Sequence, residues 1–267
     1  MKKYFSFFRL RLVTGLQYRS AALAGIVTQF FWGFMEIMVL RAFYEADPGA
    51  YPMTMEETCC YIWLQQAFLA FIQGNVFEPE LLNSVTDGGI AYELCRPVSL
   101  YDMWFARIMA GRMSRAMLRC LPILGVVVFL PDGYGLTAPV DMPHFIWFVI
   151  TLFLGGAVFT AMSMILYMVV FYTLSANGIG ILFASLRDFL TGAVIPFPFF
   201  PQKLQRVLEI LPFAAIQNAP LRIYSGNLTG TEMERAVLLQ VFWLIVLTIL
   251  GKVLWRRAEK RVVVQGG

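Results

Sequence analysis

A run of 45 residues without Asp, Glu, Lys or Arg, residues 142–186, limits this chain more than any other feature of its sequence. A helix that crosses the hydrocarbon core of a membrane needs about 20 mostly apolar residues, so the run is too long for one crossing and suits two. Residues 175–178, Ser-Ala-Asn-Gly, form its one polar, glycine-containing stretch and predict the break. We therefore predict two consecutive spans, residues 145–172 and 176–196.

The composition of the whole chain agrees with a membrane environment. Hydrophobic residues make up 59% of the sequence and charged residues 14%, whereas a soluble domain carries about 25% charged residues. This balance argues against a soluble enzyme, a disordered chain and a secreted disulfide scaffold. The four cysteines and the single histidine, His144, lack the spacing of a zinc site. We predict one membrane domain over residues 1–267.

Four further apolar stretches bring the predicted number of spans to six. The first has Glu36 and Arg41 as its only charged residues, whereas the third contains Arg115 and Arg119, whose long side chains are expected to reach one surface. The four stretches are residues 21–43, 59–77, 113–130 and 236–255. The predicted fold is an all-α, polytopic membrane protein with six transmembrane helices.

Basic residues are concentrated at both ends of the chain and between spans two and three. Loops 44–58 and 131–143 contain acidic residues but no Lys or Arg. Because Lys and Arg favour cytoplasmic segments, we predict a multi-pass protein of the inner (plasma) membrane with both termini cytoplasmic. The segment after span five departs from this pattern, because it carries basic residues on the predicted outer side. They are Lys203, Arg206, Arg222 and Arg235.

Residues 1–20 predict an amphipathic helix on the membrane surface rather than a signal peptide. Arg9, Arg11 and Arg19 interrupt any apolar region, and no small-residue cleavage site follows. Apolar residues recur at helical spacing with basic residues between them, as expected of an interfacial helix. These apolar residues are Phe5, Phe8, Leu12 and Leu16.

The predicted cytoplasmic stretch 78–102 is too structured for a plain loop. Glu78-Pro79 can open a helix, and Asp87-Gly88-Gly89 is a turn signal. A short helical piece, residues 90–95, is ended by Arg96-Pro97. A short helix on a cytoplasmic loop is a candidate docking element, and the alternative is a solvated connector.

The stretch 197–232 is predicted to be an extracytoplasmic re-entrant or interfacial segment with short outer helices. Prolines interrupt the exit from span five. One helical face then carries only apolar residues, which predicts a helix half-sunk in the membrane interface. The residues of that face are Leu204, Val207, Leu208 and Leu211.

Set in six spans, these segments resemble a permease of the type-2 ABC exporters. A basic amphipathic helix precedes span one, and Gly89, Leu94, Arg96 and Pro97 follow the family's pattern between spans two and three. After span five, the run Ile-Pro-Phe-Pro-Phe-Phe-Pro at residues 195–201 matches the family's outer prolines, followed by Leu-Pro-Phe and the later Pro220 and Gly226. The family also has a small, helix-breaking patch in span five, here Thr191-Gly192.

The resemblance implies a permease half that is not itself an enzyme. Its partners would be two copies of a cytosolic ABC ATPase, a second permease half that is an identical copy or a sister chain, and membrane lipid, with no nucleic acid. The chain lacks a phosphate-binding Gly-x4-Gly-Lys-Ser/Thr loop, so it would bind no cofactor, and ATP and Mg²⁺ would lie at the ATPase. The exported molecule would be amphipathic or lipid-like: a drug, antibiotic, peptide or lipid.

By the same resemblance, the coupling segment that fits a groove on the ATPase lies within residues 86–101. A rigid turn that ends in proline can transmit a displacement from the ATPase into spans two and three. The residues assigned to ATPase coupling are Gly88, Gly89, Tyr92, Glu93, Leu94, Arg96 and Pro97.

Polar residues inside predicted spans are candidates for the substrate pathway, because charge at membrane depth is costly unless it is paired or hydrated. Arg187 and Asp188 point about 100° apart on a helix, so each is expected to meet another partner; they lie at mid-span or in the cytoplasmic interface. Helix-to-helix hydrogen bonds are the alternative role for the glutamines. The candidates are Glu36, Gln65, Gln66, Gln73, Arg187 and Asp188.

Arg112, Arg115 and Arg119 share one predicted helix face. They could bind an anionic lipid or substrate, although anchoring at the cytoplasmic surface explains them more simply.

Three other classes fit the sequence less well. A stand-alone secondary transporter often has inverted repeats and intramembrane carboxylates, and no convincing repeat is present. An intramembrane transferase would need a histidine, paired carboxylates or an activated nucleophile at membrane depth. An importer-type ABC permease would carry a Glu-Ala-Ala loop with a downstream glycine, which this sequence lacks.

Overall fold

The structure is a computed structural model that describes residues 2–17, 19–47, 51–87, 89–95, 97–131, 133–173 and 176–259. Over these residues every regular element is helical, which confirms the predicted all-α class. The α-helices are α1 Lys2–Gly15, α2 Arg19–Ala46, α3 Met55–Ile72, α4 Pro79–Thr86, α5 Ile90–Leu94, α6 Leu100–Val127, α7 Met142–Thr173, α8 Ala176–Leu190, α9 Gln202–Ile210, α10 Asn218–Tyr224 and α11 Gly230–Glu259.

Three helices within the described residues are long and apolar enough to cross a membrane by length and composition. They are Ala22–Ala46 in α2, Met142–Thr173 in α7 and Gly230–Glu259 in α11. They coincide with the first, fourth and sixth predicted spans. α7 packs along α11 and also against α10, α6 and α3, so it forms the centre of the bundle.

Helix α3 is largely enclosed, because α2, α6 and α10 pack around it. A capping box fixes its start: the Thr54 hydroxyl accepts a hydrogen bond from the Glu57 N–H, and the Glu57 carboxylate accepts one from the Thr54 N–H. Trp63 and Tyr61 are fully buried in the surrounding clusters. The absence of charge after Glu57 therefore reflects packing inside the protein as well as any membrane environment.

Helix α6 is longer than the predicted third span, residues 113–130. It begins at Leu100, where the Ser99 hydroxyl accepts a hydrogen bond from the Asp102 N–H, and continues to Val127 through Pro122. Its first half contains Arg107 and Arg112, which the sequence analysis placed before the span. Both side chains are buried with partners in the fold, so they do not interrupt the helix.

Helix α8 ends at Leu190, before the predicted limit at residue 196. Its C-terminus is a Schellman motif: Gly192, with φ +81°, donates to Phe189 O, and the Ala193 N–H donates to Asp188 O. A positive φ is easily adopted only by glycine. The chain then forms a 3-10 turn, Phe197–Phe199, before α9. The helix break therefore lies at the predicted Thr191-Gly192 patch.

Candidate functional site

The segment assigned to ATPase coupling folds as two short helices, α4 and α5, before α6. Ile90 is 2% exposed and anchors α5 in an apolar cluster with Leu81 and Trp104. By contrast, Tyr92 is 84% exposed and Leu94 is 37% exposed. The segment is therefore anchored by one buried side chain, Ile90, and exposes two large side chains, Tyr92 and Leu94.

The other assigned residues have different surroundings. The Glu93 carboxylate accepts a 2.6 Å hydrogen bond from Trp104 Nε1, so it fastens α5 to α6 rather than projecting freely. Gly89 is the residue before α5, and Pro97 is exposed beyond its end. Gly88 and Arg96 lie outside the described residues.

Ion pairs connect the start of α4 to α1 and α6. Glu80 pairs with Arg107 and lies 3.6 Å from Arg11, whereas Glu78 lies 3.7 Å from Arg107 and 3.4 Å from Arg115. We call these five residues the ion-pair network. It ties the predicted coupling segment to the N-terminal helix and to α6 between Arg107 and Arg115.

Two hydrogen bonds extend these connections. The Glu78 N–H donates a 2.6 Å hydrogen bond to the hydroxyl of Tyr167, a buried residue of α7. The Ser99 N–H donates a 3.0 Å hydrogen bond to the Tyr4 hydroxyl of α1. A displacement of α4 and α5 would therefore be felt by α1, α6 and α7.

Neutral side chains connect α3 to the segment after α8. Gln217 Nε2 donates to Gln65 Oε1 at 2.7 Å and to the Tyr61 hydroxyl at 3.3 Å, and its Oε1 accepts from Gln73 Nε2. Tyr61, Gln65, Gln73 and Gln217 form what we call the amide network. Tyr61 and Gln65 also donate to the carbonyls at residues 192–193, at 3.1 and 3.0 Å.

The same segment approaches α7 closely. A Cβ at Gly155 would lie 2.3 Å from Ile216 O, so α7 and the chain before α10 are in backbone contact at this point. Gln240 of α11, which is fully buried, donates to Ala215 O at 2.7 Å and to Thr151 O at 3.0 Å. The stretch after α8 is therefore held from three sides, by α3, α7 and α11.

Glu36 of span one and Gln66 of span two are neighbours in the structure, a contact that the sequence does not show. Gln66 Nε2 lies 3.5 Å from Glu36 Oε2 between α2 and α3. Arg41, the other charged residue of span one, pairs with Glu45 at 2.9 Å. Glu36 is therefore a partly buried carboxyl group with an amide neighbour.

Arg112 is fully buried, although anchoring at the membrane surface was its simpler interpretation. Its guanidinium donates to Thr160 Oγ1 at 2.9 Å, Ser163 Oγ at 2.7 Å and Asn75 O at 3.2 Å. The same group lies 3.5 Å from the centroid of the Phe159 ring. Arg112 thus links α6 and α7 to the chain just after α3.

Arg187 and Asp188 are paired, which corrects the expectation that each would find another partner. Arg187 Nη2 and Nε lie 2.8 and 2.9 Å from Asp188 Oδ1, because the long arginine side chain folds back onto its neighbour. Arg187 also donates to Gly74 O at 2.9 Å and lies 5.1 Å from the Phe159 ring. Two arginines therefore meet carbonyls beyond the C-terminal end of α3, the negative end of its dipole.

A cavity of about 320 Å³ with almost entirely apolar walls lies between α3, α6 and α7. Its lining includes Leu64, Phe68, Met113, Met117 and Phe148. The polar candidates of α3 lie outside this lining. The structure therefore separates an apolar chamber from the hydrogen-bonded groups that the sequence analysis assigned to one pathway.

Sequence reasoning missed several residues that hold these regions together. Gln217 and Gln240 are single amides within otherwise apolar stretches, a signal that was present but not used. Glu78 was interpreted only as the start of a helix, although it contacts two arginines. Tyr167 gave no usable signal, because a tyrosine in an uncharged run resembles ordinary packing.

Comparisons with known proteins come from a family model and a search of curated proteins. No curated protein matches the chain at a significant level. The model described as ABC-2 family transporter protein matches residues 25–266. That match covers most of the first long apolar helix, all of the other two, the predicted coupling segment and the segment after α8. The chain therefore belongs to the ABC-2 transporter family, the membrane-embedded permeases of ABC transporters.

Proposed function

We propose that this chain is one permease half of an ATP-driven exporter and that a separate cytosolic ABC ATPase docks on α5. The observation that carries the proposal is the exposure of Tyr92, on the face of α5 opposite the anchored Ile90, together with that of Leu94 at the C-terminal end of the helix. Large apolar side chains at the end of a membrane protein favour a protein partner. ATP and Mg²⁺ are bound by that ATPase, two copies of which serve two permease halves.

The ion-pair network supports the proposed transmission of force. A push on α5 reaches α4 through the intervening turn, and Glu78 then acts on Arg107 and Arg115 of α6 and, through its backbone, on Tyr167 of α7. These contacts extend along α6 from Arg107 to Arg115, at the middle of the helix. The proposed movement therefore enters the bundle by its α6 and α7 walls.

The proposed topology has six crossings in the inner membrane, with both termini and residues 78–102 cytoplasmic. α3, α6 and α8 supply the three crossings beyond the long apolar helices. They carry polar side chains that are largely bonded within the protein, as at Gln65, Arg112 and Arg187. A second half, identical or a sister chain, completes the pathway.

The proposed substrate is amphipathic or lipid-like. The apolar cavity beside Phe68 and Met117 supports this class, because its walls offer dispersion contacts and few hydrogen bonds. Glu36 and Asp188 are the candidate polar contacts, since the Asp188 side chain is 40% exposed even when paired. Gln65 and Gln73 act instead as internal hydrogen-bonding groups in this proposal.

The coupling role is tested with the double variant Tyr92→Ala/Leu94→Ala in native membranes. Removing two exposed side chains changes stability by only about 0.5 kcal/mol each, so expression and unfolding temperature should be retained. Co-purification of the ATPase and ATP-dependent efflux should fall at least about tenfold, the equivalent of 1.4 kcal/mol of docking free energy. The matched control is Phe129→Ala, which removes an aromatic ring that is 87% exposed outside this segment.

Two outcomes would contradict the proposal. The first is full efflux by the double variant. The second is efflux by the purified chain alone in vesicles without nucleotide, which would favour a stand-alone secondary transporter.

Cys95 offers a direct test of sidedness, because it is exposed in the coupling segment while Cys59, Cys60 and Cys120 are buried. A membrane-impermeant maleimide should label Cys95 in inside-out vesicles and not in intact cells. A cysteine introduced by Val140→Cys, in the opposite loop, should show the reverse pattern. Labelling of Cys95 from outside intact cells would refute the topology.

A further inference from the structure

A second cavity, of about 320 Å³, lies where α1, α2, α4 and α6 meet. Unlike the apolar chamber, it is lined mainly by charged and small residues. Gly15 of α1 and Ala22 of α2 border it, so it opens at the junction between the N-terminal helix and the first long apolar helix. The charged residues of its lining are Arg11, Glu78, Glu80, Arg107, Arg115 and Arg119.

The lining has an excess of positive charge. Four arginines face two glutamates, and the glutamates are already shared among Arg11, Arg107 and Arg115. The side chains of Arg11 and Arg115 remain 35% and 40% exposed, so they are accessible to a ligand in the cavity. A ligand that carries negative charge would balance this excess.

Within the described part of the chain, Arg119 lines the cavity without a counter-charge and without an acceptor for its Nε–H group. No acidic side chain among the described residues pairs with it, and its Nε is buried without a hydrogen-bond partner. The guanidinium lies against Gly25, where a Cβ would come within 2.6 Å of Cζ. A partly buried guanidinium without a counter-charge is costly, so its position at the cavity wall indicates an anionic occupant.

Apolar surface continues from the cavity along both neighbouring helices. Leu121, one turn beyond Leu118 of the lining, is 73% exposed on α6, and Leu23, next to Ala22, is 65% exposed on α2. Val27 adds another exposed side chain one turn along α2. A molecule with a charged head in the cavity could therefore lay hydrocarbon chains against these residues.

We infer that this cavity binds the phosphate headgroup of an anionic membrane phospholipid, with Arg119 and Arg115 as its principal ligands. Guanidinium groups bind phosphate oxygens in pairs of hydrogen bonds, which suits two arginines one turn apart on α6. The lipid would brace α1 against α2 and α6 beside the ion-pair network. This site is distinct from the apolar chamber and from the exposed face of α5, and it does not depend on the proposed transport function.

The test uses the full chain, purified in neutral detergent and then supplied with phosphatidylglycerol, phosphatidylcholine or inorganic phosphate. Native mass spectrometry counts the retained lipid, and thermal unfolding reports stabilisation. Phosphatidylglycerol should be retained about tenfold better than phosphatidylcholine, the ratio expected from one net charge held by paired guanidinium bonds. The unfolding temperature should rise with phosphatidylglycerol and not with inorganic phosphate.

Arg119→Gln should abolish most of this preference, whereas Lys203→Gln, on exposed α9, should leave it unchanged. Arg119→Lys keeps the charge but lacks the planar fork, so it should retain an intermediate preference and guards against misfolding of the first variant. Three results would overturn the inference: equal retention of the two lipids, an unchanged preference in both Arg119 variants, or equal stabilisation by inorganic phosphate, which would indicate a free-anion site.

Discussion

The amide network and the ion-pair network fix two regions of the same bundle by opposite means. Tyr61 and Gln217 are fully buried, and their hydrogen bonds are neutral. In the ion-pair network the side chain of Glu80 is 74% exposed and that of Arg115 is 40% exposed. The amide network is therefore buried and uncharged, whereas the ion-pair network is partly exposed and charged.

This difference teaches where the bundle can move. Breaking a buried neutral hydrogen bond leaves polar groups that water cannot reach, so the contacts of Gln217 define one arrangement. An exposed ion pair can exchange its partner for water or another arginine at little cost. The exposed side chains of Glu80 and Arg115 therefore make the ion-pair network the more adjustable joint, although the side chains of Glu78 and Arg107 are only 16% and 8% exposed. The chain around Gln217 is a fixed frame.

Replacing Gly155 with Ala should have the largest effect. The new Cβ would lie 2.3 Å from Ile216 O and 3.0 Å from Ala215 O, and backbone atoms cannot move aside as a side chain can. We expect a loss of about 3 kcal/mol in the free energy of unfolding, the upper end for overpacking. The matched control is Gly125→Ala in α6, where no atom lies within 4 Å. It should gain stability through helix propensity.

Thermal unfolding in one detergent at fixed lipid content measures both glycine variants. Equal stability of Gly155→Ala and the unmodified chain would show that the chain before α10 moves freely. It would contradict the assignment of the chain around Gln217 as a fixed frame.

Replacing Gln217 with Leu should rank second. The variant loses three hydrogen bonds, and an interhelical hydrogen bond in a membrane protein contributes roughly 0.6 kcal/mol, so the expected loss is about 2 kcal/mol. The loss should be the same at low and high salt, because no charge is involved. Gln202→Leu, at an exposed site on α9, provides the control. A strong salt dependence of the Gln217→Leu effect would contradict the comparison.

Replacing Glu78 with Gln should cost about 1 kcal/mol at low ionic strength, because Arg107 and Arg115 lose a shared counter-charge. The cost should shrink in 1 M NaCl, where the ion pairs of the unmodified chain are already screened. Glu45→Gln removes an exposed helical pair with Arg41 and should change stability less. Unfolding titrations at the two salt concentrations check this, and a salt-independent loss would mean that the joint is not electrostatic.

The smallest expected effect lies at the start of α7, outside both networks. The Asp141 carboxylate accepts hydrogen bonds from the N–H of His144 and from its ring, at 2.7 and 2.6 Å, and these lower the pKa of Asp141. A lowered pKa stabilises the folded state above the ordinary value near 4, and this contribution disappears as the pH falls through the lower folded value. Asp141→Asn should therefore unfold slightly more easily at pH 6, and the difference should vanish towards pH 3.

The unfolding temperature followed from pH 6 to pH 3 measures this effect, with Asp47→Asn, directly after the C-terminal end of α2, as the control. A difference that grows as the pH falls would reverse the sign and contradict the capping role of Asp141.

Much of the fold was predictable because hydropathy and turn chemistry are local. The long uncharged run gave α7, and the predicted start of span five at residue 176 coincides with the start of α8, although residues 176–178 of the predicted break are helical. Residues 90–95 were predicted as a short helix, and α5 spans Ile90–Leu94. Periodicity and Gly or Pro punctuation can be recognised without knowing what a helix packs against.

The remaining features depend on distant partners. Arg112 was expected nearer the surface because the sequence cannot show that Thr160 and Ser163 of α7 face it. The pairing of Arg187 with Asp188 depends on side-chain reach rather than on helical angle. Gln217 gains its importance only because the chain turns back after Gly192 and meets α3. Such contacts are non-local, so a single sequence does not specify them.

The early end of α8 affects how this helix matches the thickness of the hydrocarbon core of a membrane. Fifteen helical residues measure about 22 Å, whereas the hydrocarbon layer is about 30 Å thick. If α8 is one of the six proposed crossings, it is about a quarter shorter than the hydrocarbon layer where Gly192 turns the chain aside, and lipids next to it would compress or tilt. A polar substrate that follows α8 in that topology would then cross a thinner apolar barrier than along the three long apolar helices.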